Sequence, residues 1–200
     1  SVAGKVKTRV AASTSDAEAL EIYNHLCNIT FEMLANLNVT VYLFYSDYIP
    51  NLASWYAMYI QQGKDLGERM HNAICKIHLS AQNIILIGSD CPYIESKDLI
   101  NAFEDLDHHD LVIGPTDDGG YYLIGMKTDQ PELFDNMPWS TSSVFERTLN
   151  TAHSLALKVK ILEKYSDIDT IEDWIKYTAF CTEKRDMKIN SNSNQGDPPI

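Results

Sequence analysis

Apolar residues recur along this chain at two different spacings, and the alternation of the two predicts both helices and strands. From about Ser15 to Leu37 an apolar side chain returns every three or four residues, which predicts a long amphipathic helix. Further helices are expected from Asp65 onward, from Ser96 onward, over 143–154 and over 170–180. Short apolar or alternating runs predict five strands, at 39–45, 84–88, 110–114, 121–125 and 157–162. The segment up to Ser13 has neither pattern, and we expect it to be irregular.

This order of elements predicts the fold class. Strands that alternate with helices indicate an α/β fold, and the continuously apolar run up to Gly88 is typical of a parallel strand covered on both faces. We therefore expect a layered α/β fold with a mostly parallel sheet. Residues 1–182 are predicted to form one domain, and 183–200 a flexible C-terminal tail without an apolar period. Ligands of such sheets bind at the carboxyl ends of the strands, so we look for chemistry in the loops that follow them.

Composition excludes some classes of partner. The 200 residues include 28 acidic and 16 basic side chains, for a formal net charge of −12. This charge argues against binding to nucleic acid or to an anionic membrane surface. No apolar run approaches the roughly 20 residues of a membrane span. The four cysteines include no Cys-x-x-Cys pair, which argues against a disulfide framework and a structural zinc and favours a cytoplasmic protein with reduced thiols.

A compact cationic segment lies near the start of the chain. It combines Gly4, Lys5, Lys7, Thr8 and Arg9, so three cations stand beside a glycine in an otherwise acidic protein. Backbone amides and cations of this kind favour a phosphate, although a solvated basic loop would have the same composition. A P-loop is excluded because its first glycine is absent. A loop of this type normally follows a strand, and we expect that strand to lie outside the given sequence.

Two aspartates are candidate metal ligands. Asp90 directly follows the apolar strand that ends at Gly88, and its carboxylate suits Mg²⁺ or Mn²⁺, which prefer oxygen ligands. The alternative is a turn residue ahead of Pro92. Asp169 precedes a predicted helix and is a candidate second ligand, with helix capping as the alternative.

The glycine-rich segment between two predicted strands is a candidate substrate loop. Asp118, Gly119, Gly120 and Tyr121 follow one strand and begin the next. Asp118 could act as a general base or orient an acceptor, and the loop could close over a polar substrate. A plain hairpin turn is the alternative, since Asp-Gly is a common hairpin sequence.

Two further segments contain candidate binding residues. Asp65, Gly67 and Arg69 surround a predicted helix start, where they could contact an anion or a base, or form a capped helix with an Arg69 salt bridge. Trp139 is expected in a loop and could line a pocket, with a core position as the alternative. The scattered histidines form no recognisable nucleophile arrangement, so a triad hydrolase has little support.

Together these motifs resemble a bacterial family of small GT-A-type transferases, described as glycosyltransferases of the nucleotide-diphospho-sugar transferase superfamily. The resemblance extends from about Val2 to Trp174. Six segments carry it in chain order: 4–9, 63–70, 87–92, 114–125, 138–141 and 167–170.

The resemblance implies a three-layer α/β/α sandwich with a mostly parallel, Rossmann-like sheet and a nucleotide bound near the first loop. It also implies a divalent metal held by an Asp like Asp90, in some relatives with a second Asp like Asp169. We therefore expect a Mg²⁺- or Mn²⁺-dependent transferase that uses a nucleotide-activated donor, in the first place a sugar nucleotide, and a small-molecule acceptor. Lys5, Lys7 and Arg9 would bind the donor phosphates. Two alternatives stay open, a nucleotidyltransferase acting on a small phosphorylated acceptor and a non-catalytic nucleotide-binding module. The sequence leaves the oligomeric state undetermined.

Overall fold

The computed structural model describes residues 4–49 and 56–193, with side chains through residue 187. The chain groups into two compact units, which we call the terminal unit (Ser1–His25 with Ile168–Ile200) and the central unit (Leu26–Asp167). The predicted single domain over 1–182 stays a prediction, and residues 194–200 of the predicted tail lie outside the described residues. Within the described part of the chain, no helix combines the length and apolar character needed to cross a membrane.

The terminal unit is helical. It contains α1 (Thr8–Ser13), the first part of α2 (Asp16–Ala35) and α6 (Ile171–Ser193). The prediction of an irregular start is wrong from Thr8 onward, because these residues form α1. The last helix also continues well past residue 180, where the apolar pattern predicts its end.

Helix α6 begins with the capping interaction that its sequence predicts. The amide of Asp173 donates to Thr170 Oγ1 at 3.3 Å, and Asp173 Oδ2 accepts from the Thr170 amide at 3.0 Å. Burial acts to raise the pKa of Asp173, but the hydrogen bonds from Thr170 and the Asp169 amide outweigh it and hold that pKa below its ordinary value. The carboxylate therefore stays charged at the helix start, where the helix dipole favours an anion.

Among its described residues, the central unit contains six strands in two sheets. Strands β1 (Tyr42–Tyr45) and β2 (Ala57–Ile60) form a parallel pair. The larger sheet has the order β3-β5-β4-β6. Its strands are β3 (Ile84–Ile87), β4 (Leu111–Pro115), β5 (Tyr121–Met126) and β6 (Val159–Ile161).

The α/β class agrees with expectation, whereas the larger sheet is mixed: β3, β4 and β6 run in one direction and β5 runs against them. Strand β5 is antiparallel to both β3 and β4, and only β4 and β6 pair in parallel. The cause is the tight turn between β4 and β5, in which Gly119 has φ 88° and the Thr116 amide donates to the Gly120 carbonyl at 3.1 Å. This turn makes β4 and β5 a hairpin, as in the alternative reading of the Asp-Gly sequence.

Helices cover both faces of the larger sheet. They are α3 (Leu66–His78), α4 (Ser96–His108) and α5 (Val144–Ser154). Because side chains alternate along a strand, neighbouring residues of β4 enter different clusters: Val112 packs with α4, whereas Leu111 packs with α3 and α5. The central unit is thus a helix–sheet–helix arrangement around a buried β4.

Candidate functional site

Several loops of the central unit meet at one edge of the larger sheet, which we call the carboxyl edge. Strands β3, β4 and β6 run in the same direction, so their carboxyl ends lie along this edge together with the turn that begins β5. The Gly88 amide donates to the Tyr122 carbonyl at 3.2 Å, and the Tyr165 amide donates to the Pro115 carbonyl at 3.1 Å. The Asp90 loop, the Asp118 turn and the segment after β6 therefore share one edge, the place where α/β sheets bind ligands.

Asp118 stabilises the turn at this edge. Its Oδ1 accepts hydrogen bonds from Thr116 Oγ1 at 2.6 Å and from the Gly120 amide at 3.0 Å. The side chain is exposed, and Oδ2 accepts no hydrogen bond from any described residue. One carboxylate oxygen thus orders the turn, while the other has no donor among the residues that the structure describes.

Three predicted binding residues from three different motifs come together around Trp139. A Cβ placed on Gly67 would lie 2.5 Å from the indole ring, so α3 approaches Trp139 as closely as only a glycine allows. The Tyr121 ring meets the indole edge-on, with 6.5 Å between ring centroids. The structure therefore brings Gly67, Tyr121 and Trp139 into one cluster, which we call the Trp139 cluster.

The Tyr121 hydroxyl in this cluster is unusual. Its oxygen is buried and has no hydrogen-bonding partner among the described residues. Burial raises the pKa of Tyr121 above its ordinary value, so the hydroxyl stays protonated and can donate. A buried phenol normally finds a partner, and a substrate or a water would supply one here.

The segment after Trp139 packs against the glycine turn. The Phe145 amide donates to the Gly119 carbonyl at 2.9 Å, and a Cβ on Gly119 would collide with the Ser142 carbonyl. Gly119 is required here both for its positive φ and for this close backbone approach. The turn of Asp118 and the loop of Trp139 are therefore held together.

The start of α3 matches the capped-helix alternative. Asp65 Oδ1 accepts from the Glu68 amide at 2.9 Å and caps the helix. Arg69 Nε donates to the Gly63 carbonyl at 3.2 Å and forms no salt bridge with a described residue. These contacts explain both residues structurally, and their role toward an anion or a base stays a prediction.

Asp90 occupies the loop after β3 and is half-buried. Its neighbour Cys91 is buried, and burial followed by the Asp167 charge raises the pKa of Cys91 to about 12, with a smaller contribution from Asp90. Cys91 therefore stays a neutral thiol, and both carboxylates act on it electrostatically. Asp167 thus joins Asp90 at the carboxyl edge, although the sequence pattern singled out Asp169 of the same segment.

In the terminal unit, the predicted phosphate ligands contact the predicted second metal ligand. Arg9 Nη1 lies 3.0 Å from Asp169 Oδ2, and Lys7 Nζ lies 4.0 Å from Asp169 Oδ1. Lys7 also donates to the Ile168 carbonyl at 2.6 Å. The Lys7 side chain is only 6% exposed, whereas Arg9 is 70% exposed. Asp169 is therefore neutralised by the cations that we expected at phosphates.

The other predicted residues of the cationic segment lie at the surface of the terminal unit. Gly4, Lys5 and Thr8 are exposed, and Thr8 begins α1. Gly4 has φ 78°, and a Cβ there would lie 3.0 Å from Asp16 Oδ2. Lys7 also has a positive φ, 47°, as the residue before α1. The segment is thus a tight turn into a helix, a geometry compatible with an anion site but not in itself evidence of one.

One group of potential metal ligands was missed by reasoning from the sequence. His71, Cys75 and Asp129 place one ligand atom each within 4.8 Å of one another, and among the described residues no other group of three His, Cys, Asp or Glu side chains does so. The spacing of His71 and Cys75, four residues apart in a predicted helix, was the available signal. Asp129 carried none, because only the tertiary fold brings it to that helix.

The comparisons with known proteins agree with the fold. Residues 30–141 match the family described as "Uncharacterized protein conserved in bacteria (DUF2064)". A crystal structure from Desulfovibrio desulfuricans G20, named as a "putative nucleotide-diphospho-sugar transferase", is 32% identical with a TM-score of 0.80, over 85% of this chain and 78% of that one. The comparison with curated proteins found no match.

A second solved structure shares the fold at much lower identity. It is a CMP:2-keto-3-deoxy-manno-octonic acid synthetase complexed with CTP, with 10% identity and a TM-score of 0.54. The match covers 80% of this chain and 88% of that one. At this identity the likeness shows a common fold alone.

Proposed function

Because this chain belongs to the bacterial family described as DUF2064, we propose that it is a metal-dependent transferase that uses a nucleotide-activated donor, in the first place a sugar nucleotide. The observation that carries this proposal is the Trp139 cluster, in which residues of three separate motifs meet around a buried hydroxyl that has no hydrogen-bonding partner among the described residues. A buried hydroxyl normally has a hydrogen-bonding partner, and in this proposal the bound substrate supplies it. The name of the D. desulfuricans relative supports the same class of reaction.

The cationic segment of the terminal unit is proposed to bind the donor phosphates. Arg9 is mostly exposed and can exchange Asp169 for a phosphate, two oxygens of which it can bind through parallel hydrogen bonds. Lys7 would contribute charge, and the glycine and amides of the turn would allow close approach. Replacing Arg9 with Ala should weaken nucleotide binding more at low salt than at high salt, because salt screens the charge pairing of this exposed side chain. A loss independent of salt would indicate structural damage instead.

Asp90 fits the metal that the fold family implies. It is a half-buried carboxylate that follows β3, and the charges of Asp90 and Asp167 both act on Cys91. Mg²⁺ commonly uses one or two protein carboxylates together with substrate phosphates. When bound, the ion would stabilise negative charge on the phosphate oxygens of the leaving group. Asp169 fits as a ligand only after Arg9 has left it, so its participation depends on the exchange proposed above.

Asp118 and the Trp139 cluster are proposed to serve the acceptor. Asp118 Oδ2 would accept a proton from an acceptor hydroxyl, while Oδ1 keeps the turn in place. Tyr121 would donate a hydrogen bond from its buried hydroxyl, and the half-buried Trp139 would present its exposed part to a sugar or base. Gly119 and Gly120 allow the backbone of the turn to approach the bound molecule.

A product analysis tests this proposal. The purified chain is incubated with Mn²⁺ and labelled sugar nucleotides or nucleoside triphosphates, and the products are separated. Release of a nucleoside diphosphate from a sugar nucleotide supports glycosyl transfer, whereas release of pyrophosphate from a triphosphate supports the nucleotidyltransferase alternative. Tight nucleotide binding without turnover would favour the binding module.

A matched pair of variants makes the result specific. Asp90→Asn should abolish the metal-dependent reaction, whereas Asp107→Asn, which removes the same charge from an exposed position on α4, should leave it unchanged. Equal activity of the two variants would show that Asp90 is only a turn residue.

A further inference from the structure

A histidine, a cysteine and an aspartate converge between helix α3 and the segment after β5. His71 and Cys75 lie one turn apart on α3, and Asp129 follows β5. His71 Nε2 is 3.2 Å from Cys75 Sγ, 3.1 Å from Asp129 Oδ2 and 3.0 Å from Asp129 Oδ1, and Cys75 Sγ is 3.4 Å from Asp129 Oδ2. The three side chains therefore point their ligand atoms at one small volume.

The arrangement differs from a nucleophile relay. In a Cys–His–Asp relay, the cysteine and the carboxylate contact opposite nitrogens of the imidazole ring. Here the same atom, His71 Nε2, faces both Cys75 and Asp129. Such a pattern cannot pass a proton through the ring, but it is the pattern of ligands around a common centre.

The separations are close to those of a tetrahedral zinc site. Ordinary Zn–N, Zn–O and Zn–S bonds at tetrahedral angles give about 3.3 Å between nitrogen and oxygen and about 3.5 Å for pairs that include sulfur. The observed distances of 3.0–3.4 Å are shorter by only a few tenths of an ångström. Binding of an ion would thus require the three side chains to move slightly apart, without a change in the backbone path.

Two further observations point to a ligand. Asp129 Oδ1 is buried and accepts no hydrogen bond of suitable geometry from any described residue, although His71 Nε2 is nearby. The His71 ring is also held from one side by Phe134, whose ring centroid lies 5.9 Å away in a stacked arrangement. The side chains of His71 and Asp129 are 25% and 29% exposed, so an ion can reach them from solvent.

We propose that His71, Cys75 and Asp129 bind a divalent ion of the zinc class, with a fourth position open to water. The mixed nitrogen, sulfur and oxygen ligands select such an ion over Mg²⁺, which prefers oxygen alone. The ion replaces the proton that Cys75 Sγ donates to Asp129 and links α3 directly to the segment after β5. This site is separate from the Mg²⁺ or Mn²⁺ position proposed at Asp90, and it does not depend on nucleotide binding.

Titration of the full chain with Co²⁺ after removal of bound metal tests the site. Wild-type protein should bind one Co²⁺ and show both the thiolate-to-cobalt absorption band and the intense visible bands of a four-coordinate ion, and Zn²⁺ should displace them. Cys75→Ser should remove the thiolate band. Cys181→Ser, which changes an exposed cysteine on α6, is the matched control and should retain it.

Substitution of a second residue that would bind the ion completes the test. Asp129→Asn should weaken Co²⁺ binding by more than about tenfold, since even residues behind the ligands commonly contribute that much. Circular dichroism establishes that each variant is folded. The proposal is overturned if wild-type protein shows no thiolate band, or if folded Cys75→Ser keeps it.

Discussion

Because Gly67 and Trp139 are in contact, we predict that Gly67→Ala destabilises the wild-type protein but stabilises a variant that lacks the Trp139 side chain. A Cβ on Gly67 would lie 2.5 Å from both Nε1 and Cζ2 of the indole, so Gly67→Ala forces Trp139 to move. Overpacking of this kind costs about 1–3 kcal/mol of folding free energy. Alanine is also the better helix former in α3, by up to about 1 kcal/mol. In wild-type protein the steric cost should prevail, and the variant should be less stable.

The same change should have the opposite effect when Trp139 is absent. In a Trp139→Ala background the collision disappears and only the helix preference remains, so Gly67→Ala should stabilise by about 0.5–1 kcal/mol. Urea denaturation of the wild-type protein, the two single variants and the double variant gives the coupling energy between Gly67 and Trp139, which we expect at about 1–3 kcal/mol. If Gly67→Ala changed the free energy of unfolding equally in both backgrounds, the two residues would not be in contact and the Trp139 cluster would be refuted.

Two further predictions concern titration and reactivity. Because the pKa of Asp173 is lowered in the folded protein, the stability that its charge contributes is full above the ordinary carboxyl pKa of about 4 and fades as the pH falls through the folded value. Asp173→Asn should therefore cost about 1 kcal/mol at pH 7, measured by chemical denaturation, and progressively less toward pH 3; a constant difference would contradict the capping role. Iodoacetamide at pH 7 should modify the exposed Cys181 in native protein but leave the buried Cys91, with its pKa of about 12, unmodified until denaturation. Comparable labelling of the two, measured by peptide mass spectrometry, would show that Cys91 is accessible.

Local patterns in the sequence predict the helices and strands better than their pairing. The apolar period of α2, the Asp65 cap of α3 and the Thr170–Asp173 capping interaction are all found in the structure. The mixed sheet was not predicted, because an apolar run does not reveal the direction of its neighbour. Helix α6 continues past its apolar pattern because residues 181–193 contain neither glycine nor proline to end it.

In the candidate site, too, the sequence identifies individual residues better than the contacts between them. The sequence identifies Gly67, Tyr121 and Trp139 as separate candidates, and the fold brings them into one cluster. The pairing of Arg9 with Asp169 could not be foreseen, because 160 residues separate them and each had a role proposed toward a different ligand. Their pairing satisfies both charges within the protein, and ligand binding must compete with it.

The central claim is that a nucleotide binds this protein together with a metal held by Asp90, and a calorimetric titration tests it most directly. UDP, GDP and CDP and their sugar derivatives are titrated into wild-type and Asp90→Asn protein, with and without Mn²⁺. We predict that wild-type protein binds at least one of these ligands, more tightly with Mn²⁺, and that Asp90→Asn remains folded but loses the Mn²⁺ dependence. Failure of every nucleotide to bind wild-type protein, or an undiminished Mn²⁺ effect in Asp90→Asn, would contradict the claim.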